Sequence, residues 1–257
     1  MDAKLREDRP HAHVRRLALD DAPTRNALGL AMRAALVAAL RAAAEDRDCR
    51  VVVVTGTGRI FASGSDIRML AASTPGEVMR DEVRAIWAAL LAFPKPLVVA
   101  INGHALGGGL ELALAGDILL AAEGVYLGNP EPKLGIMPGG GATQRLVRAL
   151  GWYRAMRLLL TAEPVTAETA MAWGLVAEVC TADDLADRAL AMAEVIAALP
   201  PVALAEIKRA AREGASLPLA DGLAVEKDAF ARVFWTEDSR EGLAAFLEKR
   251  PARFTGE

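Results

Sequence analysis

The sequence is poor in the side chains that most often bind metals or form disulfides. Its 257 residues include only two cysteines, Cys49 and Cys180, and three histidines. The cysteines lie far apart and the histidines have no ligand spacing, so the sequence predicts neither a metal site nor a disulfide framework. We expect two structural thiols and a protein of the cytoplasm.

Long apolar runs and an excess of positive charge are also lacking. No uninterrupted apolar segment reaches transmembrane length, and the N-terminal stretch MDAKLREDRPHAH has no apolar core of a signal peptide. The formal net charge is −3, which gives no electrostatic footprint for nucleic acid. We therefore expect neither a membrane nor a nucleic acid as a partner.

The pattern along the chain favours alternating strands and helices. Short β-branched runs predict strands at 14–20, 51–55 and 97–101, and helical spacing predicts helices over 28–46, 76–93 and about 107–115. Beyond residue 140 we expect helices at 140–149, 152–160, 166–173, 183–199 and 201–213, one strand at 174–180, and two more helices within 217–250. This order predicts an α/β fold with largely parallel strands and a topological break near residue 200.

Two glycine-rich loops follow neighbouring predicted strands. Gly107, Gly108 and Gly109 stand between a strand and a helix, where free amides can bind an anion or where the chain simply turns tightly. The loop FASGSD (61–66) follows the preceding strand, and such loops gather at one edge of a parallel sheet. One N–H from each loop can then converge on a developing oxyanion. The chain lacks nucleotide-binding glycine patterns, and no GxSxG motif surrounds Ser65.

Two glutamates stand in unusual surroundings. Glu111 lies in the apolar segment GLELALAGD, and Glu131 lies between two prolines in GNPEPKLG. Each has an ordinary explanation, as a first-turn helix residue and as a solvated loop carboxylate. If both share one apolar cleft, however, they cannot both ionise freely, and they form an acid–base pair that needs neither metal nor histidine. His104 and the four tryptophans are more simply turn, core or interface residues.

At these residues the chain resembles the enoyl-CoA hydratase/isomerase (crotonase) superfamily. The resemblance covers nearly the whole length and rests on TRNAL, VVVVTGTGRIFASGSDI, KPLVVAINGHALGGGLELALAGD, GNPEPKLGIMPGGGATQRL and EDSREGLAAFLEKRPARF. It implies an α/β fold that is a crotonase-like spiral of ββα turns with a helical C-terminal trimerisation region. We expect residues 1–199 to form the core with the acyl-CoA site, and residues 200–257 to serve oligomerisation and closure of the CoA site.

The resemblance also implies a substrate and a set of roles. The substrate is an acyl-CoA thioester, so CoA is part of the substrate and no separate cofactor is expected. Its carbonyl oxygen accepts bonds from the backbone N–H groups of Ser65 and Gly108, where Ser65 replaces the usual alanine. Glu111 and Glu131 hold a water that adds to a trans-2-enoyl-CoA. The further residues implied to bind substrate or CoA are Arg25, Asp66, Ile67, Arg68, Phe230, Phe246 and Lys249. The chain is expected to form a homotrimer or a hexamer made of two trimers.

Several alternatives remain at this point. A Δ3,Δ2-enoyl-CoA isomerase would use the same oxyanion site with one dominant carboxylate. The run STPGEVM with GIMPGGGATQRL resembles hydratases of dicarboxylic enoyl-CoA in phenylacetate breakdown, while short-chain fatty-acid β-oxidation is an equally natural role. An RNA-binding relative would need a basic surface, and a scaffold without activity would not need both glutamates.

Overall fold

Two parallel-rich sheets and twelve helices make up the part of the chain that this computed structural model describes, residues 5–257 without the side chains of residues 81 and 82. The first four residues of the expected core region, 1–199, lie outside the described residues. The strands are β1 (Leu5–His11), β2 (Val14–Leu19), β3 (Val51–Gly56), β4 (Ile60–Ala62), β5 (Leu97–Ile101), β6 (His104–Leu106), β7 (Ile118–Ala122), β8 (Tyr126–Gly128), β9 (Val165–Thr166) and β10 (Glu178–Cys180).

The helices follow the chain from its first crossover to its C-terminus. They are α1 (Leu30–Glu45), α2 (Ile67–Ala72), α3 (Pro75–Val78), α4 (Asp81–Ala92), α5 (Gly108–Ala113), α6 (Ala142–Leu150), α7 (Trp152–Thr161), α8 (Ala167–Ala172), α9 (Leu185–Ala197), α10 (Pro201–Gly214), α11 (Leu219–Phe234) and α12 (Glu237–Glu248). Short 3-10 turns at Ala22–Thr24 and Glu131–Leu134 complete the pattern.

The two sheets are built by a repeated step. The larger sheet has the order β1-β2-β3-β5-β7-β10, and the smaller one has the order β4-β6-β8-β9. Each of the strands β3, β5 and β7 in the larger sheet is therefore followed by a strand of the smaller sheet, and the chain then continues through helical structure. This succession is the expected spiral of ββα turns, so the α/β fold class is confirmed. Pairing is parallel except for the two edge pairs β1–β2 and β8–β9.

The core lies between the large sheet and the helices that cover it. All five residues of β5 are buried, as are the four valines that open β3. In α1 the buried side chains include Met32, Leu36, Leu40 and Ala43, which recur every three or four residues and so form one face of the helix. No single described helix is long and apolar enough to span a membrane, whereas α9 and α10 meet that criterion by length and composition only as a pair bent by 103°.

Several sequence expectations are wrong in detail. The segment expected as a loop, FASGSD (61–66), begins inside strand β4, and His104 lies in strand β6 rather than in a turn. The helix expected over 76–93 is two helices, because Thr74 and Glu77 form a capping box around α3 and Arg80 then adopts an extended conformation. The strand expected at 174–180 is confined to Glu178–Cys180.

The C-terminal helices begin at Pro201, close to the expected break at residue 200. The tail after α12 returns to the core, where the guanidinium of Arg50 donates to the carbonyl oxygens of Ala197 (3.1 Å) and Phe254 (2.7 Å). The buried carboxylate of Asp238 accepts bonds from the backbone of Thr255 and Gly256. The division of function between residues 1–199 and 200–257 stays a prediction.

Candidate active site

The two glycine-rich loops meet at one cavity of about 290 Å³. Gly64 has a φ of +99°, and a Cβ placed on it would lie 3.2 Å from the backbone nitrogen of Gly108. A Cβ placed on Gly108 would in turn lie 3.4 Å from the backbone nitrogen of Ser65. The backbones that carry the two expected oxyanion donors are therefore side by side at the cavity wall, as the order of the strands predicts.

The N-terminal turn fixes the position of the Ser65 loop. The backbone N–H of Leu28 donates to the carbonyl oxygen of Gly64 at 2.7 Å. The side chain of Asn26 is buried and donates to the carbonyl oxygens of Ile60 (2.8 Å) and Phe61 (3.1 Å). Asn26 belongs to the segment TRNAL, and its side-chain amide connects this turn to the strand that leads into the Ser65 loop.

Close packing at α5 fixes the other loop. A Cβ at Gly109 would lie 2.0 Å from the carbonyl oxygen of Ala62, so α5 approaches β4 as closely as a backbone can. Gly107 has a φ of +55°, and a Cβ there would lie 2.9 Å from Oε1 of Glu131. The glycine run is thus a tight turn, and it also leaves room for a carboxylate beside the amide of Gly108.

Glu111 is buried with a defined orientation. Its side chain is 3% exposed, and Oε1 accepts bonds from the backbone N–H groups of Gly140 (2.6 Å) and Ala142 (3.0 Å) at the start of α6. These two amide donors fix the orientation of the carboxylate. The second oxygen faces the same wall, because a Cβ at Gly140 would lie 2.8 Å from Oε2 of Glu111 and 2.5 Å from the ring of Trp87.

Glu131 lines the same cavity in a different environment. Burial raises the pKa of Glu131 above its ordinary value, and the nearby charge of Glu111 raises it further. Its Oε2 atom is buried and has no hydrogen-bond partner among the described residues. One carboxylate is therefore held by amides and the other is biased toward its protonated form, which is the arrangement that a general base and a general acid require.

Asn129 is a further buried polar group beside Glu131. It is 0% exposed, and it lies close enough for its side chain to lower the pKa of Glu131. Neither polar atom of its amide reaches full hydrogen-bond geometry with a described group. In the sequence Asn129 is simply part of GNPEPKLG, and no local pattern marks its side chain.

Arg33 brings a positive charge to the cavity wall. This guanidinium is 5% exposed and donates to the carbonyl oxygens of Leu28 (2.7 Å) and Val83 (2.5 Å) and to Oγ of Ser65 (3.0 Å). It also lies 5.8 Å from the ring centre of Trp87. Trp87 is therefore part of the cavity wall and not simply a core or interface residue. Burial lowers the pKa of Arg33, whereas the charge of Glu111 opposes that shift.

The residues of the expected binding set near the Ser65 loop have different positions. Ile67 lines the cavity. Asp66 caps α2, because its carboxylate accepts bonds from the backbone N–H groups of Arg68 (2.9 Å) and Met69 (3.3 Å). Arg25 and Arg68 are exposed and do not line the cavity, although the carbonyl oxygen of Arg25 accepts a bond from Ser63 at its edge. Contact of these side chains with CoA stays a prediction.

The C-terminal members of that set lie away from the cavity within one chain. Phe230 belongs to α11 and stacks on Phe234 with ring centres 5.8 Å apart. Phe246 is exposed on α12, and Lys249 follows that helix in a left-handed conformation. Their contact with the CoA of a neighbouring subunit stays a prediction. Within the part of the chain that the structure describes, no three histidine, cysteine or acidic side chains are placed to share a metal ion.

Comparisons with known proteins show the family to which the chain belongs. The sequence model of the family described as enoyl-CoA hydratase/isomerase matches residues 10–257. The 2,3-dehydroadipyl-CoA hydratase of Escherichia coli is 42% identical over 240 residues, which cover 93% of this chain and 94% of that protein. The crystal structure of an enoyl-CoA hydratase from Bacillus anthracis has a TM-score of 0.94 at 38% identity and covers 98% of this chain and 99% of its own. That of an enoyl-CoA hydratase from a Polaromonas species has a TM-score of 0.92 at 33% identity, with 97% and 99% covered.

Proposed function

Because the chain belongs to the enoyl-CoA hydratase/isomerase family, we propose that it catalyses the syn addition of water to a trans-2-enoyl-CoA, giving a 3-hydroxyacyl-CoA. The observation that carries this proposal is the pair of carboxylates, Glu111 and Glu131, in one cavity beside the backbones of Ser65 and Gly108. An isomerase needs one dominant carboxylate, whereas addition of water needs a base for the water and an acid for the α-carbon.

The first step activates the water. Glu111 is the base, since the amides of Gly140 and Ala142 keep Oε1 in place and leave Oε2 to accept a proton. The oxygen of the water bonds to the β-carbon, and the π electrons move toward the thioester carbonyl. The negative charge then rests on the thioester oxygen, where the N–H groups of Ser65 and Gly108 donate to it. Loss of one such donor costs about 10²–10³ in rate.

The second step delivers a proton to the α-carbon. Glu131 supplies it, because burial and the charge of Glu111 raise its pKa and so bias it toward the protonated form. The enolate collapses to the 3-hydroxyacyl thioester, Glu131 is left ionised, and Glu111 holds the proton taken from water. Transfer of that proton to Glu131 restores the starting state for the next turnover.

The test follows the loss of enoyl-thioester absorbance with crotonyl-CoA. The wild type is expected to remove the absorbance rapidly, and Glu111→Gln and Glu131→Gln are each expected to lower kcat by at least about 10², as loss of a general acid or base does. Glu163→Gln changes an exposed glutamate outside the cavity and serves as the matched control. Turnover near the wild-type value in both cavity variants would contradict the acid–base assignment.

A backbone variant tests the oxyanion donor. Gly108 is the first residue of α5, where proline fits the helix but has no N–H. Gly108→Pro is therefore expected to abolish turnover without unfolding the protein, as judged by circular dichroism.

A different outcome would identify the alternative activity. If the wild-type protein shifts the position of the double bond without hydrating it, the protein is a Δ3,Δ2-enoyl-CoA isomerase.

A dicarboxylic enoyl-CoA is the second candidate substrate class. It is supported by the similarity of this chain to the 2,3-dehydroadipyl-CoA hydratase of Escherichia coli, which is 42% identical. The reaction and the residues stay the same, and only the distal end of the acyl group differs. Comparing kcat/KM for crotonyl-CoA and 2,3-dehydroadipyl-CoA decides between this role and short-chain fatty-acid β-oxidation.

A further inference from the structure

Two arginines in the cavity wall have no part in the proposed hydration steps. Arg33 extends from α1 and is buried, whereas Arg84 extends from the first turn of α4 and is exposed. Both line the cavity that contains Glu111 and Glu131. Neither is marked by a local sequence pattern.

Neither guanidinium is neutralised by a described carboxylate. All three hydrogen bonds of Arg33 go to neutral oxygen atoms, those of Leu28, Val83 and Ser65. Arg84 has no side-chain hydrogen bond or ion pair with any described group. Buried charges of proteins are usually paired, so the buried Arg33 without a bonded carboxylate, beside Arg84 in the same cavity wall, indicates a place where an anion binds.

The two charges also act on each other. After burial, the positive charge of Arg84 contributes to lowering the pKa of Arg33. Glu111 offsets part of this repulsion, but its Oε1 atom is already engaged by the amides of Gly140 and Ala142. A ligand carboxylate near Arg84 would relieve the repulsion without displacing a bond that holds the site together.

Contacts along the cavity wall link this pair to the oxyanion site. Oγ of Ser65, on the residue whose N–H is the proposed oxyanion donor, accepts a bond from Arg33, and Arg33 in turn donates to the carbonyl oxygen of Val83. Arg84 follows Val83 in the chain and lines the same cavity. Apolar side chains of Leu70, Val78 and Ile136 line the same cavity and suit a short run of methylene groups.

We propose that Arg84, supported by Arg33, binds a carboxylate at the distal end of the acyl group, so that the preferred substrates are short enoyl-CoA thioesters that end in a carboxylate. This inference rests on the proposed function, because it takes an acyl-CoA in the cavity as its starting point. A cavity of about 290 Å³ limits the acyl group to a short chain. Arg84 is the specificity-determining residue, and Arg33 is a positioning residue.

Binding of saturated thioesters tests this proposal without any reaction. Adipyl-CoA and hexanoyl-CoA have six acyl carbons each and differ only in the terminal carboxylate, and neither can be hydrated. Isothermal titration calorimetry is expected to show the wild type binding adipyl-CoA about tenfold more tightly than hexanoyl-CoA, the effect of one charge-assisted hydrogen bond. In Arg84→Gln this preference should disappear while the Kd for hexanoyl-CoA changes less than about twofold.

Arg41→Gln is the matched control, since it removes an exposed arginine from α1, the helix that carries Arg33. It should keep the preference for adipyl-CoA. Equal affinities for the two thioesters in the wild type would overturn the proposal. Equal weakening of both in Arg84→Gln would also overturn it, since Arg84 would then contact the CoA phosphates. Failure of the hydration proposal looks different: the binding preference remains, but neither crotonyl-CoA nor 2,3-dehydroadipyl-CoA loses its absorbance.

Discussion

At the residue scale, the two carboxylates of the cavity are separated chemically by what each one contacts. Glu111 accepts two backbone hydrogen bonds on one oxygen, whereas Glu131 has a buried oxygen with no described partner. Burial raises the pKa of Glu131, whereas the two amides that hold Oε1 of Glu111 leave its Oε2 free to accept a proton. The surroundings therefore support different proposed roles for two side chains of the same type.

Asn129 affects the pKa of Glu131, and its replacement should change the pH dependence of kcat/KM. The side chain lowers the pKa of Glu131, so Asn129→Leu is expected to raise that pKa further. Since the proposed step needs protonated Glu131, the decline of kcat/KM at high pH should move to higher pH.

The stability of the same variant distinguishes a role in the reaction from a structural one. Both amide atoms of Asn129 lack full hydrogen bonds to described groups, so an apolar side chain of similar shape should leave the free energy of unfolding unchanged or higher. Urea denaturation measures this. An unchanged pH profile together with a large loss of stability would show that Asn129 is structural only.

Sequence reasoning finds the residues whose chemistry conflicts with their local pattern. Glu111 stands in an apolar segment and Glu131 between prolines, and the structure places both in one cavity. Arg33 escapes notice because an arginine in an Ala-rich helix is ordinary, and it becomes buried only when α1 packs against α4. Asn129 escapes notice because asparagine before proline is typical of a turn. Long-range packing, not local pattern, gives these two residues their roles.

At the element scale, long elements are predicted well and short ones are not. The helix expected at 28–46 is observed at Leu30–Glu45, and the strand expected at 97–101 is observed with those bounds. Strands β4, β6 and β8 have three residues each, too few for an alternating pattern to stand out. They form because each pairs with its neighbour in the smaller sheet, which is a tertiary effect.

Glycines around α5 give an element-scale prediction. Gly109→Ala should lower the free energy of unfolding by about 1–3 kcal/mol or more, because its Cβ would lie 2.0 Å from the carbonyl oxygen of Ala62. Gly107→Ala should instead lower kcat about 10²-fold, because its Cβ would lie 2.9 Å from Oε1 of Glu131 and displace that carboxylate. Thermal unfolding and crotonyl-CoA turnover measure the two effects separately.

The control for this series is Gly76→Ala in α3. A Cβ there would meet no atom within 4 Å, so this change should be neutral or stabilise by about 0.5–1 kcal/mol. Full activity in Gly107→Ala would show that Glu131 tolerates displacement and would weaken its proposed role.

At the scale of the whole molecule, the C-terminal helices leave an extensive apolar surface uncovered. Exposed large apolar side chains are concentrated on α10, α11, α12 and the segments between them: Ile207, Leu217, Leu219, Leu223, Phe230, Phe234, Trp235, Leu243, Phe246 and Leu247. A groove of about 900 Å³ runs between α10 and α11. Monomeric proteins rarely expose contiguous apolar patches of this kind, which supports the expected trimer or hexamer.

Sedimentation tests the expected oligomeric state directly. At micromolar concentration the wild type should sediment as a trimer or as a hexamer, and Leu219→Glu should shift it toward the monomer, because Leu219 is 80% exposed on α11 and a charge there would have to be desolvated in an interface. Val195→Glu makes the same change at an exposed residue of α9, outside the C-terminal helices, and should leave the assembly intact. A wild-type monomer, or equal dissociation in both variants, would contradict the assignment of the interface to α10–α12.

If the assembly is confirmed, the same variants also test whether a neighbouring subunit contributes to the cavity. Phe230, Phe246 and Lys249 lie outside it within one chain, so loss of CoA affinity in Leu219→Glu, but not in Val195→Glu, would mean that a neighbouring subunit completes the site.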